Sequence, residues 1–190
     1  MTRRSLDPPS RVGIIGGEWR GYRLAVLDEY GLRPTPDRVR ETLFNWLAPL
    51  ITSAHCLDLF AGSGALGFEA ASRGAARVVL VEKVARVARQ LRENARMLDA
   101  QQVEVIHDDA RYWLGGQPKP FDLVFLDPPF GEDLLGPCCV ALDQGGWLST
   151  GARVYLEASV SKGFAVLPEG WSLTHRKQAG QVLYGLAKTD

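Results

Sequence analysis

The sequence lacks a long apolar run, and this absence excludes a membrane protein. No stretch approaches the ~18 consecutive apolar residues that a membrane-spanning helix requires. The opening residues, MTRRSLDPPS, include arginines, but no apolar segment of a signal peptide follows them. The 190-residue chain is therefore expected to be cytoplasmic, with no membrane partner. Its composition, 46% hydrophobic and 23% charged, is typical of one globular domain with a short appendage.

Cysteine is scarce and shows no pattern of a disulfide or metal site. Cys138 and Cys139 are adjacent and cannot readily bridge each other, and Cys56 lies in an apolar run. None of the three has the CxxC or Cys/His spacing of a metal site. We expect three reduced thiols, with Cys56 in the core of a strand, and no bound metal.

Net charge is also absent, since 22 basic residues balance 22 acidic ones, but the charges are unevenly distributed. Residues 1–40 contain eight basic residues against five acids, which leaves 14 against 17, or a charge of −3, in the remainder. All eight basic residues are arginines, which can bind a phosphate through two hydrogen bonds and stack on a base. The segment is a candidate nucleic-acid contact, and a solvated basic surface is an equally good interpretation of charge alone.

Two types of pattern follow one another along the chain. Residues 11–16 and 22–27 are apolar runs separated by the glycine-rich GEWRG, a composition typical of a β-hairpin. Thr35 as N-cap and Pro36 at the first helical position then predict a helix. From residue 55, strand-length apolar runs alternate with candidate helices. The runs are CLDLF, ARVVLVE, VEVIH, FDLVFLD and ARVYLEA, and the helices are 65–73, 84–98, 109–114 and 133–143.

This alternation predicts an α/β fold with a parallel sheet. The last two runs, WSLTHRK and QVLYGLAK, predict a C-terminal antiparallel hairpin. Parallel strands that finish in such a pair outline the Rossmann-like sheet of class I S-adenosylmethionine-dependent methyltransferases, whose ligands bind at the carboxyl ends of the central strands. We predict residues 1–30 as a hairpin appendage and candidate RNA contact, and residues 31–190 as the catalytic domain.

A nucleotide-binding loop is predicted where the first of these strands meets its helix. The segment DLFAGSGALG, which begins at Asp58, satisfies GxGxxG, and Glu82 ends the next strand at the spacing of a ribose-binding acid. These features suit NAD and S-adenosylmethionine alike. Asp58 favours S-adenosylmethionine, because a carboxylate there would repel a pyrophosphate but attract an ammonium and a sulfonium. The alternative is a glycine-rich turn that serves chain geometry alone, with Glu82 as a solvated strand end.

Two acids at the end of the third strand are candidates for the adenine contact. Asp108 and Asp109 precede Ala110, where a helix is predicted to begin, so either acid could accept the adenine N6 amino group or cap that helix. We favour Asp109 for adenine. The other predicted cofactor-binding residues are Phe60, Ala61, Gly62, Ser63, Gly64, Lys83 and Ala110.

The tetrad Asp127-Pro128-Pro129-Phe130 follows the fourth strand and is the candidate catalytic site. An aromatic amine is a poor nucleophile, and the Asp127 carboxylate and the Pro128 carbonyl can each accept one of its hydrogens. Pro129 stiffens the loop, and Phe130 can stack on a base that is flipped out or unpaired. Methyl transfer would then be a direct in-line displacement without a metal or a covalent enzyme intermediate. A proline turn without function is the alternative, which the preceding buried strand and cofactor loop disfavour.

Four segments resemble the bacterial RsmD family of 16S ribosomal RNA guanine-N2 methyltransferases, over almost the whole chain. They are RVGIIGGEWRGYRL, GLRPTPDRVRETLFNWL, CLDLFAGSGALGFEAASRGA and FDLVFLDPPF. The resemblance implies methylation of one guanine N2 in 16S rRNA of assembled or assembling 30S subunits. It implies that S-adenosylmethionine is consumed, that S-adenosylhomocysteine is released, and that the hairpin helps to hold RNA.

The resemblance also assigns roles to residues. The family's cofactor loop is matched by Asp58, Gly62 and Gly64, and its catalytic tetrad by Asp127 to Phe130. Its ribose-binding acid corresponds to Glu82, and its adenine contact corresponds to Asp109. The stretch that closes over the cofactor or substrate is matched by Thr35, Asp37 and Arg40. The family usually has Arg-Lys after the hairpin glycine. This chain has Tyr22-Arg23 there, which removes one positive charge and adds a ring.

The candidate RNA contacts are Arg11, Trp19, Arg20, Arg23, Arg33 and Arg40. Trp19 could stack on RNA or equally pack the hairpin onto the domain. Arg40 is the preferred phosphate or active-site contact, although it could instead pair with Asp37 or Glu41.

Several other functions share parts of this pattern. The tetrad also suits methylation of adenine N6 in DNA or of a protein glutamine amide, although a DNA enzyme would usually need a larger recognition region. A non-catalytic RNA-binding assembly factor and an NAD-dependent oxidoreductase are further alternatives. The intact loop and tetrad argue against the first of these, and the charge of Asp58 argues against the second. We expect a monomer.

Overall fold

The computed structural model describes residues 10–27, 35–164 and 166–190, and the predicted RNA contact Arg33 lies outside this part of the chain. The strands are β1 (Ser10–Gly13), β2 (Arg23–Val26), β3 (His55–Asp58), β4 (Arg77–Glu82), β5 (Val103–His107), β6 (Phe121–Leu126), β7 (Leu148–Ser159), β8 (Ser172–Ala179) and β9 (Val182–Lys188). The helices are α1 (Asp37–Leu47), α2 (Ala65–Ser72), α3 (Ala85–Met97), α4 (Ala110–Leu114) and α5 (Leu135–Gln144).

A seven-stranded sheet forms the centre of the molecule, with the order β5-β4-β3-β6-β7-β9-β8. Strands β3 to β7 pair in parallel, and β9 runs antiparallel to both of its neighbours. This arrangement confirms the predicted class I methyltransferase sheet and its C-terminal hairpin. The strand order reverses between β3 and β6, so a crevice opens at their carboxyl ends. Asp58 is the last residue of β3 and Asp127 directly follows β6.

Apolar helix faces cover both sides of this sheet. Val39, Leu43 and Phe44 of α1 pack with α2 and α3 on one side, which also contains Cys56. Helices α4 and α5 cover the other side, where Cys138 and Cys139 are buried. All three cysteines are free, and Cys56 lies within β3 as predicted. None of the helices in the described ranges is long and apolar enough to cross a membrane.

The beginning of α1 differs from the predicted cap. The helix begins at Asp37, and Pro36 (φ −56°, ψ 145°) stands outside it with an extended backbone. No side chain of the described residues caps this helix, so the prediction of Thr35 as N-cap was wrong. The reason is that Thr35 is buried and its hydroxyl donates to Asp127 Oδ2 instead, at 3.5 Å.

The N-terminal hairpin is a separate two-stranded antiparallel sheet that packs against the domain. Val12 and Leu24 lie opposite each other on its buried face, while Arg11 and Arg23 are exposed on the other face. Trp19, in the turn, is only 6% exposed and belongs to the same core as α1 and α2. The packing interpretation of Trp19 is therefore correct, and the stacking interpretation is wrong because its ring is covered by the domain.

Arg40 also lies inside the protein, which contradicts its predicted contact with RNA. Its side chain is fully buried, with Nη2 2.6 Å from Asp37 Oδ1 and Nη1 3.6 Å from Glu69 Oε2. A guanidinium enclosed in this way cannot reach a phosphate on the surface. The alternative considered from the sequence, an ion pair with Asp37, is confirmed.

Glu69 of α2 joins the hairpin to the domain, and no sequence pattern singled it out. The carboxylate is fully buried and accepts the backbone N–H groups of Ile15 and Gly16 at 2.8 Å each. Arg73 Nε donates to the same carboxylate at 2.7 Å. Nearby, the hydroxyl of Ser72 donates to the Gly16 carbonyl. The hairpin turn is thus fixed by charged and polar groups of α2 as well as by apolar packing.

Candidate active site

A cavity of about 560 Å³ opens at the carboxyl ends of β3, β4 and β6. It brings together most of the residues predicted for the cofactor and for catalysis. These are Asp58, Phe60, Ala61, Gly62, Ser63, Glu82, Lys83, Asp108, Asp109, Ala110, Asp127, Pro128, Pro129 and Phe130, together with Thr35. Gly64 and Asp37 are not among the lining residues.

The glycine-rich loop has the left-handed backbone that its composition predicts. Gly62 and Gly64 have φ values of 49° and 77°, which are strained for residues with a side chain. A Cβ on Gly64 would lie 2.7 Å from atoms of Phe68 and Leu91. Gly64 therefore serves the packing of the loop onto α2 and α3, while Gly62 faces the cavity.

Asp58 is buried below this loop. Its Oδ2 accepts the backbone N–H of Gly67 at 3.1 Å, which ties the end of β3 to α2. Burial, together with the charge of Glu82, raises the pKa of Asp58 to about 7, against the lowering effect of the Gly67 hydrogen bond. A cation in the cavity would stabilise the ionised carboxylate, as the sequence argument for a sulfonium or ammonium requires.

Glu82 ends β4 with its carboxylate held on both oxygens. Oε2 accepts the N–H of Gly62 at 3.0 Å, and Oε1 accepts the N–H of Val84 at 2.7 Å. Each carboxylate oxygen can accept a second hydrogen bond, so the side chain is fixed in place while lone pairs remain for hydroxyl groups of a ligand.

The adjacent acids at the end of β5 differ in how many partners they have. Asp109 is the N-cap of α4 and accepts the N–H of Arg111 at 3.0 Å. The Arg111 side chain also donates to it, and this hydrogen bond lowers the pKa of Asp109. Asp108 accepts the N–H of Asp109 at 2.8 Å. The capping alternative is therefore confirmed for Asp109, and its carboxylate is the more fully occupied of the two.

Two predicted contacts are engaged in ion pairs at or near the cavity. Lys83, which lines the cavity, pairs with Glu132 at 3.1 Å, and both side chains are about half exposed. Asp37 points towards Arg40 and is 76% exposed. Within the described residues of this segment, Thr35 and Pro36 line the cavity and Asp37 does not.

Asp127 belongs to a row of acids on neighbouring strands. Asp58, Asp127 and Glu157 lie at the carboxyl ends of β3, β6 and β7, and all three line the cavity. Burial raises the pKa of Asp127 well above its usual value, as do the charges of Glu157 and Asp58, while the Thr35 hydroxyl lowers it. Glu157 is 3% exposed and accepts the hydroxyl of Tyr155 at 2.6 Å.

Glu157 was not predicted from the sequence. The signal was present, because this acid interrupts the apolar run ARVYLEA of a strand predicted to be buried. A buried carboxylate needs hydrogen-bond donors or an opposite charge, which makes a charged residue in such a run a candidate site residue.

The tetrad forms the boundary between two cavities. Pro128 is buried, whereas Phe130 is 39% exposed. A second cavity of about 230 Å³ lies on the other side of the tetrad. Pro128, Pro129 and Phe130 line both cavities, and Asp127 lines the larger one, so the last three residues of the tetrad lie between the two cavities.

Known proteins are similar to this chain in sequence and in fold. The family described as Conserved hypothetical protein 95 matches residues 12–188. Ribosomal RNA small subunit methyltransferase D, or RsmD, from Escherichia coli (strain K12) is 49% identical over 190 residues, which are 100% of this chain and 96% of that protein. The chain belongs to the RsmD family. The protein of the same name from Haemophilus influenzae is 47% identical over 180 residues, 92% of each chain.

A solved structure has the same fold as this chain. The protein YhhF from Escherichia coli superimposes with a TM-score of 0.90 at 46% sequence identity, covering 95% of this chain and 99% of that one. The match includes the hairpin as well as the sheet, because so little of either chain lies outside it. The resemblance inferred from four sequence segments is thus confirmed, together with the fold class.

Proposed function

We propose that this member of the RsmD family transfers a methyl group from S-adenosylmethionine to the exocyclic N2 amine of a guanine in 16S rRNA. The observation that carries the proposal is the position of Pro128, which lines both cavities, directly after Asp127, which lines the larger one. One cavity has the carboxylates that a cationic nucleoside cofactor requires, and the other is next to an exposed aromatic ring. The relatives that match the whole chain are ribosomal RNA small subunit methyltransferases by name.

The larger cavity fits S-adenosylmethionine by its donor and acceptor groups. Asp58 is buried, and a positive charge in the cavity would offset the cost of burying its ionised carboxylate. The carboxylate of Glu82 is fixed by backbone hydrogen bonds and can accept the ribose hydroxyls. Of the two acids at the adenine end, Asp108 has the freer carboxylate, because Asp109 already accepts from Arg111. When bound, the cofactor supplies an electrophilic methyl group on a sulfonium, which leaves as the neutral thioether of S-adenosylhomocysteine.

The tetrad prepares the amine for direct displacement. The Asp127 carboxylate and the Pro128 carbonyl accept the two amine hydrogens, which directs the nitrogen lone pair at the methyl carbon. The nitrogen–carbon bond forms as the carbon–sulfur bond breaks, and the proton released by nitrogen passes to Asp127 or to water. Phe130 stacks on the flipped base.

Exposed arginines of the hairpin are the proposed contacts with RNA. Arg11 and Arg23 lie on its outward face, and Arg20 is exposed in the turn. Tyr22, which is 57% exposed, adds a ring on which an unpaired base can stack. The 30S subunit or an assembly intermediate is the proposed partner, and we propose that the enzyme acts as a monomer without a metal.

Transfer of labelled methyl groups to different acceptors tests the proposed function. The purified protein with labelled S-adenosylmethionine is expected to modify 30S subunits from cells lacking this enzyme, and to leave DNA unlabelled. Labelling of DNA but not of 30S subunits would contradict the proposal. Calorimetry with S-adenosylhomocysteine and NAD tests the cofactor separately, since binding of NAD alone would refute the methyltransferase assignment.

Removing the ring of Phe130 is expected to weaken recognition of the acceptor base. Stacking of a base on an aromatic side chain contributes about 1–3 kcal/mol, so Phe130→Ala should lower kcat/KM for 30S subunits by about 5- to 150-fold. Phe130→Tyr retains the ring and serves as the matched control, with near-normal activity. Equal activities of the two variants would show that the base does not stack there.

A further inference from the structure

The smaller cavity has a charged residue that the tetrad does not explain. Pro128, Pro129, Phe130 and Glu157 line both cavities. Three of them belong to the tetrad, which holds the acceptor amine under the proposed function. Glu157 is the fourth, so its carboxylate lies near the position proposed for that amine.

The strand register places Glu157 beside Asp127. Leu126 of β6 pairs with Leu156 of β7, so the next residues on the two parallel strands are neighbours. Adjacent strands are about 4.8 Å apart, which sets the approximate separation of the two residues along the edge of the sheet. Two carboxylates therefore face the crevice side by side.

Glu157 is held in place but retains capacity to accept hydrogen bonds. Tyr155, which is fully buried, donates its hydroxyl to Glu157 Oε1 at 2.6 Å. A carboxylate has about four acceptor positions, so one hydroxyl group leaves others for donors in the cavities. Burying such a group is costly unless a ligand supplies those donors.

The base edge with two neighbouring donors is that of guanine. Its N2 amine adjoins a ring N1–H, whereas the N6 amine of adenine adjoins a ring nitrogen that carries a lone pair. A carboxylate next to Asp127 would accept the first and repel the second. We propose that Glu157 accepts the N1–H of the acceptor guanine and thereby selects guanine over purines that lack this hydrogen. This inference rests on the proposed function and assigns the base specificity to one side chain.

The test compares two bases with the same reactive amine. The substrates are 30S subunits reconstituted with 16S rRNA that contains guanine or 2-aminopurine at the methylated nucleotide. Only guanine has the N1–H. Loss of a hydrogen bond to a charged group predicts that the natural enzyme prefers guanine by on the order of 10- to 100-fold in kcat/KM. Glu157→Gln is expected to lose most of this preference, because its amide can donate to the bare ring nitrogen as well as accept.

A matched variant controls for the loss of one charge. Glu104→Gln makes the same change at an exposed site on β5, where Glu104 pairs with Arg77, and should leave the preference unchanged. An undiminished preference for guanine in Glu157→Gln would overturn the inference, as would a natural enzyme indifferent to the two bases. If the natural enzyme modifies neither substrate, the proposed function itself fails.

Tyr155→Phe gives a second result that does not require loss of the carboxylate. It removes the hydroxyl that orients Glu157, so discrimination between the two bases should fall while the charge remains. An unchanged preference in a folded Tyr155→Phe variant would contradict the inference even if Glu157→Gln did not fold.

Discussion

Asp127→Asn is expected to lower the rate of methyl transfer by roughly 10²- to 10⁴-fold, the usual contribution of a group that handles a proton in the reaction. The asparagine retains one oxygen that can accept from the amine but cannot take its proton. The same variant should unfold at a higher temperature than the natural protein. Burial and the charges of Glu157 and Asp58 raise the pKa of Asp127, so its ionised form destabilises the fold at neutral pH.

Opposite changes in activity and stability distinguish this prediction from simple damage to the fold. Single-turnover transfer and thermal unfolding should be measured on the same preparations. Asp99→Asn is the control, because Asp99 is exposed, lies beyond α3 and has a positive φ that asparagine tolerates. Loss of activity together with a lower melting temperature in Asp127→Asn would contradict the assigned role.

Of the variants proposed, Glu69→Ala should destabilise the protein most, with a loss of about 3–5 kcal/mol in the free energy of unfolding. The change leaves the buried Arg40 without one of its two partners and removes the acceptor for the N–H groups of Ile15 and Gly16. Arg73 loses its ion pair as well. Because the hairpin turn is fixed through this carboxylate, protection of the amides of Ile15 and Gly16 against hydrogen exchange should fall too.

Two further variants measure how much of that effect belongs to the buried charge. Glu69→Gln retains one acceptor oxygen and should be less destabilising than the alanine. Glu93→Ala removes an exposed acid from α3 and should change the free energy of unfolding by less than about 0.5 kcal/mol. Similar losses in Glu69→Ala and Glu93→Ala, measured by chemical denaturation, would show that Glu69 does not join the hairpin to the domain.

As the pH is lowered, the activity should begin to fall at a higher pH than it would if Asp127 had the pKa of an ordinary aspartate. Transfer needs Asp127 ionised, and a raised pKa means that protonation begins at a higher pH. Removing the charge of Glu157 lowers that pKa, so Glu157→Gln should shift the acid limb of the pH–rate profile to lower pH. A shift to higher pH would mean that the two carboxylates do not interact as described.

Local sequence patterns predicted the sheet well because each strand and loop has its own signal. The alternation of apolar runs and helices predicted a parallel sheet, and the glycines of the loop reflect the positive φ at Gly62 and Gly64. Asp58, Glu82 and Asp127 were predicted for the same reason, since each ends or follows a strand whose carboxyl end opens into one crevice.

Contacts between segments that are distant in the sequence could not be predicted from local patterns. Arg40 and Trp19 are residue types typical of RNA contacts, but α2 and the hairpin enclose them through Glu69 and apolar packing. Thr35 precedes a proline as an N-cap would, yet its hydroxyl is used by Asp127, 92 positions away. Glu157 became a site residue only when its neighbour on β6 was known.

The most direct measurement of the central claim is mass-spectrometric mapping of 16S rRNA from cells that lack the gene for this protein. One N2-methylated guanine should be missing from that rRNA, and purified enzyme with S-adenosylmethionine should restore it on isolated 30S subunits. The Asp127→Asn variant should fail to restore it. A complete set of N2-methylated guanines in cells without the gene, or restoration by the variant at the normal rate, would contradict the account.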